Sequence, residues 1–340
     1  MTADWVVGKA TAVEARPRGD DSAAPAIPEQ WNRSIGWIVL VGGLASAMWL
    51  DAATVSAVVG MAVLQLAAAR TLTLPAQTPS LRQSAAWLTG LGSLAYATGK
   101  TLLSPWAGSA WLIPAGALMC FAGFHLLLWR DIRCGAARER RVVLATVCLA
   151  MLLAAVVELI GASLDLTLGA PVGPEDDLRL RMLRLAQVGV TMLPALLLLH
   201  LGLAAKSYPD TGSVQWPHVC LSVGTLGMPA ILAVAAVTHT GVKFLLPIPA
   251  IALFAGTVSG LWLARRHARG LERWGWLLIA LSMAGGLVMG LYAFDGPLPA
   301  PDFIGGYNDP VRRVIRLAHA YPIVFGVLGI VLSRELESRS

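Results

Sequence analysis

Two side chains of opposite charge, Lys100 and Glu158, stand deep inside apolar stretches of this chain. Counting 16 residues from each helix start at about 1.5 Å per residue, each lies roughly 24 Å above the cytoplasmic edge of its helix. A charge at that depth in an apolar medium is costly unless it is paired or meets water. The spacing therefore predicts a buried ion pair or one shared polar cavity. A second set opens the last apolar segment, where Asp309 suits a helix N-cap and Pro310 the first helical position. Arg312, Arg313, Arg316 and His319 follow. Arg312, Arg316 and His319 are spaced i, i+4 and i+7, so they share one helix face. His319 falls about 12 Å below the helix start. Arg181, Arg184 and Gln187 repeat this spacing at the head of an earlier segment.

Guanidinium groups beside helix N-termini suit a planar anion. The pattern predicts a site for an anionic ligand, with Arg184 and Arg316 turned into the bundle. The competing reading has these arginines snorkelling to headgroups or pairing with Glu175, Asp176 and Asp177. For His319, the choice is between a ligand or metal contact and a helix-packing hydrogen bond. His125 and His200 lie towards the opposite end and raise the option of a second metal or proton site there. Soluble-enzyme signatures are missing: there is no HExxH, no Walker loop, no GxSxG and no acidic metal triad. The four cysteines, Cys120, Cys134, Cys148 and Cys220, form no CxxC pair.

The elements that must position these groups are membrane helices. Hydrophobic residues make up 56% of the 340 and charged residues only 14%, too few to cover a soluble surface. Apolar segments run over 35–50, 52–69, 84–103, 109–129, 142–164, 180–204, 217–238, 243–263, 274–293 and 311–333. Most have the length needed to cross about 30 Å of hydrocarbon. The formal charge of +6 does not indicate nucleic acid, because the arginines collect between the segments. Arg130, Arg133, Arg138, Arg140 and Arg141 fill one loop, and Arg265, Arg266, Arg269 and Arg273 another. The positive-inside rule puts these loops in the cytoplasm, with both chain ends beside them, in a bacterial-type inner membrane. Trp129, Trp216, Trp262, Trp274 and Trp276 then form an inner belt, and Trp49, Trp106 and Trp111 an outer one. The polar stretch 1–33 reads as a disordered cytoplasmic tail.

The chain also repeats itself. Ile113-Pro114-Ala115-Gly116-Ala117-Leu118 matches Ile248-Pro249-Ala250-Ile251-Ala252-Leu253. Phe121-Ala122-Gly123, Trp129 and Glu139-Arg140 match Phe254-Ala255-Gly256, Trp262 and Glu272-Arg273 in one register. Asp177 to Gln187 matches Asp309 to His319. The unit is four helices, and an even number of crossings makes the copies parallel. The organisation expected is all-α: a transmembrane hairpin over 34–70 and four-helix units over 82–205 and 216–333.

Two helices followed by parallel four-helix units, with a His in the outer part of the tenth helix, resemble part of haem–copper oxidase subunit I and its NnrS-like relatives. The resemblance implies a haem with His319 as an axial ligand and Arg316 and Arg312 facing its propionates. The chain departs from that family in lacking a His in its second segment and the paired copper ligands, so oxygen reduction is not implied. The functional expectation is an outer-facing Arg/His site for an anionic ligand, haem among the candidates, in a redox-associated module. The alternatives are a secondary transporter of a small solute and a structural or assembly subunit, with the bilayer and other membrane proteins as partners.

Overall fold

The computed structural model describes residues 27–45, 52–71, 79–101, 109–168, 174–207, 216–238, 241–292, 298–299, 301–304 and 309–337. Among them are ten α-helices and no strand. They are α1 (Ile27–Ala45), α2 (Ala52–Thr71), α3 (Pro79–Thr101), α4 (Ser109–Arg133), α5 (Arg138–Leu168), α6 (Pro174–Ser207), α7 (Trp216–Thr238), α8 (Pro247–His267), α9 (Gly270–Gly290) and α10 (Pro310–Glu337). Short 3-10 turns cover Gly241–Leu245 and Asp302–Ile304. Seven helices, α4 to α10, are long and apolar enough to cross a membrane by length and composition, and the apolar part of α2 is shorter. The expected all-helical membrane bundle is met at that level. One boundary changes: residues 27–33, read as tail, belong to α1. The rest of that tail, 1–26, and the turn at Asp51 lie outside the described residues.

The helices outrun their apolar cores because a helix continues wherever polar side chains reach the aqueous edge. α5 begins at Arg138, and α10 runs on to Glu337. At the α4–α5 turn the chain reverses in four residues. Gly135 adopts a φ of 65°, a left-handed conformation that a Cβ disfavours. Asp131, buried in this turn, holds both Arg130 and Arg140.

The centre of the bundle is the pair α2 and α6. Every residue from Ala57 to Ala68 and from Val190 to Leu201 is buried. A helix that is apolar all round belongs inside, surrounded by other helices. α1, α3 and α10 pack around α2, while α5, α7 and α8 pack around α6. The outward faces are apolar too. On α5, Leu149, Leu152, Val156 and Leu159 form an exposed stripe, the reverse of a soluble helix.

Small residues set the closest approaches, as is common between membrane helices. A Cβ on Gly92 of α3 would lie 2.6 Å from the Gly116 carbonyl of α4, and a Cβ on Gly116 equally close to the Gly92 carbonyl. Gly275 of α9 and Gly326 of α10 meet in the same way. Leucine at Gly116 or Gly326 is expected to part these helices and cut the monodisperse yield in detergent. Leucine at Gly42, where nothing lies within 4 Å of an added Cβ, should leave the elution profile unchanged.

Candidate functional site

Glu158, in the second half of α5, is 5% exposed. Lys100 closes the α3 helix and brings its Nζ to 2.7 Å from Glu158 Oε2. One turn earlier, the buried Tyr96 hydroxyl donates to Glu158 Oε1 at 2.7 Å. Gln187 of α6 donates its Nε2 to Oε2 at 3.0 Å. Gly161 makes room for that amide, since a Cβ there would lie 2.9 Å from Gln187 Nε2. Three helices thus converge on one carboxylate, and each of its oxygens accepts a close donor. Charge-assisted bonds of this kind are about twice as strong as neutral ones. The ion pair expected between Lys100 and Glu158 is present. Gln187, grouped with the arginines on sequence grounds, belongs to this cluster instead.

The arginines at the starts of α6 and α10 are handled one by one. Arg181 pairs with Asp177 one turn before it. Arg179 donates to the Val237 carbonyl of α7 at 3.0 Å. Arg184 and Arg313 are exposed, so Arg184 does not turn into the bundle as expected. Arg312 lies over the Tyr292 ring and reaches its carbonyl, while Arg316 is half-buried. His319 sits between α9 and α10. Its Nδ1 lies 2.7 Å from the Ser282 carbonyl, and the Ser282 hydroxyl donates to the His319 carbonyl. Its ring presses on Gly286, where an added Cβ would fall 2.5 Å from Cε1. The imidazole Nδ1 is committed to the α9–α10 contact.

A second buried cluster lies at the other end, beside the α4–α5 and α8–α9 turns. His200 near the end of α6 and His218 at the start of α7 are both 0% exposed. His200 Nδ1 and His218 Nε2 are 3.0 Å apart, and Glu139 of α5 meets His218 Nδ1. Alongside, Arg334 of α10 contacts Glu272 of α9 through Nη2 at 2.6 Å and Nε at 2.9 Å. The same Nη2 donates to the Leu199 carbonyl at 2.9 Å. Trp276 of α9 stands edge-on to His200, with ring centroids 5.7 Å apart. A small cavity borders Arg334, lined also by Leu66, Ala67, Leu199 and Val331.

Of the two histidines read together at this end, only His200 joins the cluster. His125 is exposed on the outside of α4, stacked on Phe121. Trp276, expected in the inner aromatic belt, is fully buried against Gly260, whereas Trp129, Trp216, Trp262 and Trp274 are exposed as a belt requires. Trp111 is exposed as well, and Trp49 and Trp106 lie outside the described residues. Sequence reasoning missed His218, Glu139, Glu272 and Arg334 as inward-facing groups. The one available signal was the recurrence of Glu139 and Glu272 at matched places in the repeat. Among the described residues, no three His, Cys, Asp or Glu side chains converge as a metal site.

These features describe a multi-pass membrane bundle with buried ionisable clusters around Glu158 and around Arg334. No protein-family model, curated protein or solved structure matches the chain.

Proposed function

We propose that this chain is a proton-coupled secondary transporter of a small solute in an inner membrane, spanning it ten times with both ends in the cytoplasm. The observation that carries this reading is the convergence of Lys100, Tyr96 and Gln187 on Glu158 from α3 and α6. An ionisable residue within a membrane helix marks ion and substrate pathways by default. Here the carboxylate can hold either the Lys100 ammonium or a proton. Ionised, it holds Lys100 and so ties α3 to α5. Protonated, it loses that charge and leaves α3 free to shift. Proton occupancy and helix position are then linked, which is the differential binding that coupling requires. The arginine-rich starts of α6 and α10 do not carry the proposal, because Arg181 already holds Asp177 and His319 already holds the Ser282 carbonyl.

Two further details support a hairpin followed by parallel four-helix units. Arg133 stacks over Trp129 at 4.6 Å, and Arg266 stacks over Trp262 at 3.9 Å, at matched positions of the repeat. Gly123 presses on Ala85 and Thr89 of α3, as Gly256 presses on Leu221 of α7. The proposed topology predicts that reporter fusions after Arg141, Arg273 and Ser340 are cytoplasmic and those near Pro174 and Pro301 are external. An external reporter after Arg141 reverses the scheme, because every later span alternates from that loop.

The coupling is tested in liposomes that hold the full chain and a trapped pH indicator. Amino acids, carboxylates, amines and sugars are added one at a time. The expected result is a solute-dependent change of internal pH with the native chain and none with Glu158→Gln. An equal response in both, or none in either, overturns the carrier reading in favour of a structural subunit.

A further inference from the structure

The carboxylates of the α4–α5 and α8–α9 turns are engaged inside the bundle. Asp131 holds Arg130 and Arg140, Glu139 faces His218, and Glu272 holds Arg334. Arg265, Arg266, Arg269 and Arg273 are left exposed on the α8–α9 turn. Among the described residues, none of the four meets a carboxylate. Unneutralised guanidinium groups gathered on one turn make a strongly positive surface.

Leading away from this turn, the surface is apolar. On α8, Trp262, Val258 and Ile251 are exposed at spacings of four and seven, so they share one face. Trp274, Leu281 and Val288 do the same on α9 at spacings of seven. The arginines therefore stand as a basic rim on an apolar wall. Arg266 is also pre-placed, with its guanidinium 3.9 Å from the centre of the Trp262 ring. Stacking uses the flat face of the guanidinium and leaves its N–H edge open, which is the edge that matches a phosphate. A long side chain ordered in advance loses less entropy when a ligand arrives.

We propose that the α8–α9 turn is a binding site for an anionic phospholipid, with Arg266 on the headgroup phosphate and the acyl chains along the exposed faces of α8 and α9. Arg265, Arg269 and Arg273 add the positive charge that selects a net negative headgroup over a zwitterionic one, because basic clusters beside membrane helices attract anionic lipids. An acidic protein segment or a free phosphate would satisfy the arginines but leave the apolar faces uncovered. The α4–α5 turn is the weaker counterpart. Arg133 stacks over Trp129 at 4.6 Å, but Asp131 occupies Arg130 and Arg140. The site faces the bilayer, apart from Glu158, and does not depend on the carrier reading.

The test is native mass spectrometry of the full chain in a neutral detergent. Phosphatidylglycerol or phosphatidylcholine with the same acyl chains is added in steps. The native chain should retain phosphatidylglycerol saturably and in preference to phosphatidylcholine. One basic residue near a membrane surface is worth roughly a fivefold gain in affinity, so Arg266→Gln with Arg269→Gln should weaken phosphatidylglycerol binding roughly 25-fold. Trp262→Leu keeps every charge but removes the ring beneath Arg266, and it should weaken binding as well. Attraction to bulk charge alone would not respond to that change. Glycerol phosphate in large excess should not displace the lipid, because it lacks the chains. Displacement by glycerol phosphate would assign the turn to a free phosphate and overturn the proposal. Equal retention of both lipids, with binding of a polyglutamate peptide instead, would assign it to an acidic protein and overturn it too. Native affinity in Trp262→Leu would leave only bulk attraction and would also refute it. If the variants cannot be purified, the choice of the native chain between the two lipids decides alone.

Discussion

Replacing Lys100 with Met is expected to cut the yield of folded protein severely, and adding Glu158→Gln should restore part of it. The single change strands a carboxylate that is 5% exposed, with Tyr96 and Gln187 left as its partners among the described residues. Breaking a buried pair from one side typically costs about 3–5 kcal/mol. That is a large share of the roughly 5–15 kcal/mol that holds a typical domain folded. The double variant replaces the ion with an amide that Tyr96 and Gln187 can still bond, so less is lost. Thermal retention of the monodisperse peak in detergent reads both effects. A Lys100→Met variant as stable as the native chain would show that Glu158 is not held as a buried ion. Transport should behave differently from stability, since the rescued double variant folds but has no group at position 158 to bind a proton.

Arg334→Met should be at least as damaging. Arg334 is 8% exposed and Glu272 is 0% exposed. The guanidinium places two nitrogens on Glu272 and one of them on the Leu199 carbonyl, so its substitution removes the buried countercharge of Glu272 and three hydrogen bonds together. A loss of about 3–5 kcal/mol is again the scale. Arg334→Lys should fall between, because an ammonium keeps the charge without the planar fork that meets both partners. The double change Arg334→Met with Glu272→Met removes both charges and should recover much of the loss, as apolar replacements of buried pairs often do. The check is the midpoint of thermal unfolding for the four proteins. If Arg334→Lys and Arg334→Met unfold at the same temperature as the native chain, the pair contributes nothing to holding α10 against α6 and α9.

The Lys100–Glu158 and Arg334–Glu272 pairs lie at opposite ends of the bundle. α5 carries Glu158 and Glu139, and α6 carries Gln187 and His200, so the same two helices support both clusters.

How much of this was legible differs from residue to residue. Lys100 and Glu158 stood out because a charge in a long apolar run has few explanations, and depth along a helix follows from counting residues. Glu139, Glu272 and Arg334 did not stand out, because each lies within a few residues of a helix end, where charge is ordinary. Along the axis they look like loop residues. Around the axis they face inward, and the direction depends on which helices pack there. Trp276 carried the same ambiguity. Its place near a helix end suited an interfacial belt, yet Gly260 on α8 opens the gap that its ring fills. Arg184 and Arg316 stand at matching places in two similar stretches of sequence, and packing separates them, leaving one exposed and the other half-buried.

The sequence by itself determined the class of protein, the helical order and the places where chains of apolar residues break. Hydropathy and helix length are properties of contiguous residues, so no partner is needed to read them. Only the tertiary structure decided which face of each helix is inside. It brought Gln187 to Glu158 instead of to the arginines, His218 to His200 across the α6–α7 connection, and Ser282 to His319. The physical reason is that a membrane helix is apolar on its lipid side and its packed side alike, so the amphipathic signal that orients a soluble helix is absent. Small residues and buried polar partners on neighbouring helices supply the orientation, and those contacts join positions far apart in the chain.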